Sequence, residues 1–185
     1  MDKRVIRTKE SITNALLKLM EEKSTNKITV SEITKLAKIE RKTFYLHYSC
    51  IDDVVKDLEN QISKELEVEA NKYIYESTNK MTDIFNNLNI VILNNLSFFK
   101  AIIRNDTYSY ILHSFENILS NIIYRLAIEI YDIKSKNLSY YTMFYAAGIV
   151  KLYTEWLKEE KITLEELTSI TTRACFLSVN ELANY

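Results

Sequence analysis

The chain has 185 residues, enough for one compact core or for a small module joined to a larger one. Hydrophobic residues make up 47% and charged residues 26%, which argues against a disordered chain and for a folded, soluble one. Proline is absent and glycine occurs once, at Gly148, so hairpins and tight turns lack their usual residues and an all-α fold is expected. The net charge of −1 hides a division: residues 1–49 hold 11 Lys+Arg against 6 Asp+Glu, and the remainder hold 13 against 19. A basic head on an acidic body fits a nucleic-acid-binding module attached to one with another task.

The charged N-terminus (Asp2, Lys3, Arg4, Arg7, Lys9) is not followed by an apolar stretch of signal-peptide type. No apolar run approaches the ~20 residues that span a bilayer, so the protein reads as cytoplasmic, without a membrane partner. Cys50 and Cys175 form no CxxC pair, and His47 and His113 lie far apart. A disulfide, a metal site and a cofactor are therefore not expected. Nor is an enzyme: there is no nucleophile–base pair, glycine-rich phosphate loop or metal cluster.

The first helix is predicted over about Thr8 to Lys23, because Ile12, Ala15, Leu16, Leu19 and Met20 recur on one helical face. Polar residues 24–27 break the pattern. Thr29 and Glu32 then have the spacing of a capping box, opening a short second helix with Val30, Ile33 and Ala37 on its apolar side. Lys38-Ile39-Glu40 is a tight connection, and Glu40 is placed to cap a third helix from Arg41 to about Tyr48. Phe44 and Tyr48, four apart, should pack inward, leaving Arg41, Lys42, Thr43, Tyr45 and His47 outward. Three such helices form a helix-turn-helix unit.

Further helices are predicted over about Ile51–Tyr75, Lys80–Asn94, Ser97–Arg104, Tyr108–Tyr131, Leu138–Glu160 and Thr163–Ala183, nine in all. Thr163 and Glu166 repeat the capping-box spacing. The expected division is a helix-turn-helix DNA-binding domain at 1–49 and a separate helical domain at 50–185.

The stretch Thr29 to Val54 carries the chemistry. In a helix-turn-helix the last helix enters the major groove and offers side chains to base edges and phosphates. Arg41 and Lys42 can donate to guanine O6 and N7 or to phosphate. Thr43 can meet a thymine methyl or a phosphate, and Tyr45 and His47 carry donors for the sugar–phosphate backbone. Thr29, at a helix start, can present backbone N–H groups to a phosphate. Arg7 and its basic neighbours add salt-dependent attraction.

Thr43-Phe44-Tyr45-Leu46-His47-Tyr48 followed by Asp52-Asp53-Val54, with Ile28-Thr29-Val30 and Ile33 and Ala37 before it, resembles the DNA-binding domain of the tetracycline-repressor (TetR) family of bacterial regulators. Ala147-Gly148-Ile149-Val150 and Glu155-Trp156-Leu157 are similar to one subgroup of that family's regulatory domains. Three positions depart from the family pattern. Lys38 stands where glycine is usual, so the turn must hold a side chain in strained backbone. Glu40 replaces a Ser or Thr cap, and its carboxylate is repelled by phosphate but can accept from cytosine N4. Ser49-Cys50-Ile51 lacks the lysine common before the fourth helix.

The resemblance implies a ligand-responsive repressor that binds a pseudo-palindromic double-stranded DNA operator as a homodimer. The last two long helices of each subunit would form a four-helix bundle, with Gly148, Leu152, Trp156, Ile170 and Leu177 as seam candidates. A small apolar or aromatic effector would bind in the helical body and shift the fourth helix. The many aromatics there read equally as core and as pocket lining; Phe99, His113, Tyr124 and Tyr145 are the pocket candidates. A helical interaction or scaffold protein that has lost operator binding is the alternative, supported by Lys38, Glu40 and the missing lysine.

Overall fold

The computed structural model describes residues 3–23, 27–76, 81–159 and 161–183, with side chains over the same ranges apart from 73–76, 81, 106 and 176–183. Among the described residues the fold is all-α. The helices are α1 (Lys3–Glu22), α2 (Val30–Ala37), α3 (Arg41–Tyr45), α4 (Ile51–Glu76), α5 (Met81–Asn94), α6 (Leu96–Arg104), α7 (Ser109–Glu129), α8 (Leu138–Glu159) and α9 (Leu164–Ala183), with a 3-10 turn at Asp106–Tyr108 before α7. The chain divides into two compact units: Met1–Ile62 with Leu96–Ser109, and Ser63–Asn95 with Tyr110–Tyr185.

In the first unit, α1 packs on α2 and on α6. The five apolar residues that define the face of α1 are all buried. The helix begins five residues before its predicted start at Thr8, and within it the hydroxyls of Thr8 and Ser11 donate back to the carbonyls of Arg4 and Arg7. Ile12, Leu16, Ile33, Phe44, Val54, Val55, Phe98 and Ile102 are almost fully buried. Each large aliphatic or aromatic side chain so enclosed contributes about 1.5–3 kcal/mol relative to exposure.

The second unit holds Ser63 to Glu76 of α4, then α5, α7, α8 and α9. One cluster joins Ala70, Ile84, Leu88, Ile122 and Leu126; another joins Phe85, Ile149, Tyr153, Leu167 and Cys175. A buried polar chain runs through the second: the Tyr153 hydroxyl donates to Asn89 Oδ1, and Asn89 Nδ2 donates to Thr168 Oγ1 at 2.7 Å. It ties α5, α8 and α9 in one register, because a slip would strand a buried amide at a cost of about 1–3 kcal/mol. Burial raises the Tyr153 hydroxyl above its ordinary range and pushes the Cys175 thiol up to about 12, so this cysteine remains a neutral core residue. The box at Thr163 and Glu166 forms as expected.

Candidate nucleic-acid interface

The local structure around α2 and α3 follows from a few side chains. Thr29 Oγ1 accepts from the Glu32 N–H, and Glu32 Oε2 accepts from the Thr29 N–H at 3.0 Å, completing the capping box. The Lys23 ammonium holds the other oxygen of Glu32. With the Thr29 bonds this lowers the carboxyl to about 2, so it stays ionised. Thr29 is exposed, but its own N–H is already satisfied by that carboxylate.

Lys38 ends α2 in the left-handed region, at φ 55° and ψ 44°. Its N–H donates to the Lys35 carbonyl, and the Ile39 N–H donates to the Thr34 carbonyl at 3.0 Å. These paired bonds make a Schellman ending. The turn expected to be strained by the missing glycine is thus formed by lysine. Glu40 corrects an expectation: it occupies the N-cap position of α3 in extended backbone, but its side chain makes no capping bond. The carboxylate is left exposed at the tip of the turn.

α3 is shorter than predicted, although the Tyr48 N–H still donates to the Phe44 carbonyl, carrying the turn onward. Phe44 is fully enclosed and Tyr48 nearly so. Arg41 and Lys42 are exposed, Thr43 and His47 are half-buried, and Tyr45 is 51% exposed. Sequence reasoning passed over Leu46, 73% exposed on the same short segment. Arg7 is exposed on α1. Among the described residues Lys35, Lys38, Arg41 and Lys42 have no ion-pair partner and are open to anions.

α3 is held from behind. The Tyr48 hydroxyl donates to Asp57 Oδ2 at 2.7 Å, and Lys9 Nζ donates to the same oxygen at 2.9 Å while lying 5.0 Å from the Tyr48 ring centre. The contact thus combines an ion pair, a charge-assisted hydrogen bond and a cation–π interaction. Burial and the neighbouring carboxylate raise the Tyr48 hydroxyl, which keeps its proton as donor. Asp53 Oδ2 accepts from the N–H groups of Ser49 and Cys50, and these bonds hold its carboxyl below the usual range. Asp52 Oδ1 accepts from the Tyr108 hydroxyl at 2.7 Å. Both acids lie in the first turn of α4, where negative charge meets the helix dipole.

In the second unit a cavity between α5, α7 and α8 is walled by residues such as Phe85, Leu88, Ile122, Leu126 and Tyr145. Its free volume is about 30 Å³, far below the roughly 300–1,000 Å³ of a small-molecule site. Of the four expected pocket residues, Tyr145 lines it. Phe99 is buried against Phe98 in the first unit, His113 is exposed and faces Glu116 at 3.0 Å, and Tyr124 is exposed.

The outer face of α8 is apolar. Tyr140 and Phe144 are each 72% exposed, Met143 is exposed, and Ala147, Gly148 and Leu152 continue the stripe at helical spacing. A Cβ added to Gly148 would touch nothing. Ile170 is exposed on α9. Trp156 is half-buried, and its indole N–H donates to the Ile162 carbonyl within the same chain at 2.9 Å. Leu177 lies outside the described side chains. The sequence reading took Tyr140 and Phe144 as core or pocket aromatics; the inward positions of α8 are instead Thr142, Ala146, Ile149 and Tyr153.

The fold is that of helix-turn-helix transcriptional regulators. It is similar to a TetR-family regulator from Syntrophomonas wolfei (TM-score 0.79, 18% identity, covering 93% of this chain and 94% of that one). It is also similar to one from Streptococcus agalactiae (TM-score 0.66, 22% identity, 94% and 96%) and to the dihydroxyacetone kinase operon activator DhaS (TM-score 0.71, 20% identity, 95% and 97%). Residues 79–175 match the family model TetR_C_8, transcriptional regulator C-terminal region. The chain belongs to the TetR family of transcriptional regulators, which are not enzymes. A stretch of 59 residues is 37% identical to the uncharacterized HTH-type transcriptional regulator YxbF of Bacillus subtilis (strain 168); the match covers 31% of this chain and 16% of that longer protein. No described helix is long and apolar enough to cross a membrane.

Proposed function

We propose that the protein is a cytoplasmic repressor that binds a pseudo-palindromic DNA operator as a homodimer, with residues 1–49 reading DNA and 50–185 carrying dimerisation and regulation. The observation that carries this reading is the division of α3 and its following turn. Phe44 and Tyr48 face the core, whereas Arg41, Lys42 and Tyr45 are exposed beside Lys35 and Lys38. Thr43 and His47, half-buried at the edges of this surface, fit phosphate contacts that fix register. Arg7 and the Thr29 end of α2 supply peripheral charge and donors, and Glu40 is positioned to accept from a cytosine amino group.

The α8 stripe with Gly148 and Leu152, together with Ile170 on α9 and the half-buried Trp156, fits a self-complementary seam, for which Leu177 remains a candidate from the sequence. An operator with two half-sites about 34–36 Å apart then matches the two-fold symmetry. The effector this reading implies is small and apolar or aromatic, since the walls near Tyr145 are apolar; it must widen the cavity to enter. Phe99, His113 and Tyr124 are not among the residues that line this cavity, so any part they take is indirect.

The test is a salt titration of binding by the full chain to the duplex upstream of its own gene. With six to ten phosphates engaged, affinity should fall about 10³–10⁵-fold between 50 and 200 mM salt. Joint Tyr45→Ala and His47→Ala substitution should abolish binding with helicity unchanged. Absence of binding at low salt would favour the scaffold reading, to which the uncapped acid Glu40 lends support.

A further inference from the structure

We infer that Leu46 is a specificity-determining residue that reads a thymine methyl group in each operator half-site; this rests on the DNA-binding reading above. The argument begins with direction. Leu46 follows α3 with φ −72° and ψ −20°, so the helical path continues through it. At about 100° per residue, Lys42 and Leu46 point nearly opposite the midline of Phe44 and Tyr48. Those two rings are buried, so the Lys42–Leu46 ridge is the part of the segment farthest from the core. Among the described residues of the first unit, Leu46 is also the most exposed large apolar one, at 73%.

Chemistry then selects the partner. The leucine side chain has no donor or acceptor, so it gains nothing from a phosphate oxygen or the polar edges of guanine, cytosine and adenine. In the major groove the apolar group on a base edge is the thymine C5-methyl. Lys42, one turn earlier on the same ridge, supplies the cation that draws the segment against the duplex, while Tyr45 and His47 flank Leu46 with polar tips for the backbone. What singles Leu46 out is its place: it stands on the outward ridge with Lys42, between Tyr45 and His47, and suits a groove that offers methyl groups between phosphate rails.

Burial of one methyl-sized group is worth about fourfold in affinity, and two symmetric half-sites make that about fifteenfold. The experiment selects bound duplexes from a randomised pool with the full-length protein. The selected duplex is then remade with each thymine replaced singly and in symmetric pairs by deoxyuridine, which pairs identically but lacks the methyl. One symmetric pair should weaken the unaltered protein about fifteenfold. Leu46→Ala should bind the thymine and deoxyuridine duplexes equally, and Leu46→Met should keep much of the discrimination. If duplexes are selected but every deoxyuridine pair is tolerated, or if Leu46→Ala still discriminates, this inference falls and the DNA-binding reading stands. If no duplex is selected, both fall together.

Discussion

At the scale of single residues, the head is shaped by what Lys38 and Glu32 are made to do. A non-glycine residue at φ 55° brings its Cβ close to its own backbone carbonyl, a clash glycine lacks. The Schellman bonds of Lys38 and Ile39 hold it there despite the penalty. Lys38→Gly should therefore stabilise the protein by about 0.5–1 kcal/mol, less than the full steric relief because glycine also loosens the unfolded chain. The check is urea unfolding, where the midpoint should rise at constant slope; an unchanged midpoint would show that the turn bears no strain. Glu32 gives a pH-dependent prediction. Its carboxyl is depressed to about 2, mainly by Lys23, from an ordinary 4.5. A depressed acid contributes stability above its unfolded pKa and loses it as pH falls through its folded pKa. Glu32→Gln should melt below the unaltered protein at pH 7, and the two melting curves should converge between pH 5 and 2. A gap that stays constant over that range would remove the ionic part of the cap.

At the scale of elements, the fold was legible because its signals are local. The α1 face, the two capping boxes and the position of the α2–α3 turn all follow from side chains within a few residues of one another. What stayed hidden depends on distant partners. Nothing near Thr8 says that its hydroxyl bonds backward, and nothing near Glu40 says that its carboxylate leaves the cap unmade. The aromatics of α8 are interspersed with small inward residues, so their outward facing emerges only with Thr142, Ala146 and Ile149 placed against a core. The Tyr108–Asp52 bond, between residues 56 apart, is of the same kind. It joins the 3-10 turn before α7 to the first turn of α4 inside the first unit, beside the α1–α6 packing. Tyr108→Phe keeps the buried ring and frees Asp52 to hydrate, so it should cost about 1 kcal/mol. Tyr108→Ala also empties the ring's site and should cost about 3–5 kcal/mol. A Tyr108→Phe variant that unfolds at the same temperature and urea concentration as the unaltered protein would mean that the ring alone matters and that the hydroxyl tethers nothing.

At the scale of the whole molecule, charge and apolar surface lie on different parts of the chain, and each implies a different partner. The basic excess within residues 1–49 answers a polyanion, whereas the bare face of α8 answers another apolar face. Soluble monomers seldom expose a contiguous stripe containing two aromatic rings, a methionine and a leucine. Here the stripe narrows at Ala147 and Gly148, where nothing would meet an added Cβ, and small residues there let a second helix approach closely. A seam built by two-fold symmetry meets each substitution twice, so one charge at its middle is opposed by its own copy. In the proposed homodimer, Phe144→Lys should thus shift the protein from dimer to monomer in sedimentation equilibrium while leaving helicity unchanged, because the ring is 72% exposed and meets its own subunit at the edge of the neighbouring Tyr145 ring. Operator affinity should fall with it, by about 100-fold or more, since each head would then bind its half-site without the effective concentration that linkage supplies. A dimer that survives this substitution with full affinity would place the seam elsewhere and leave the exposed aromatics of α8 to a different partner.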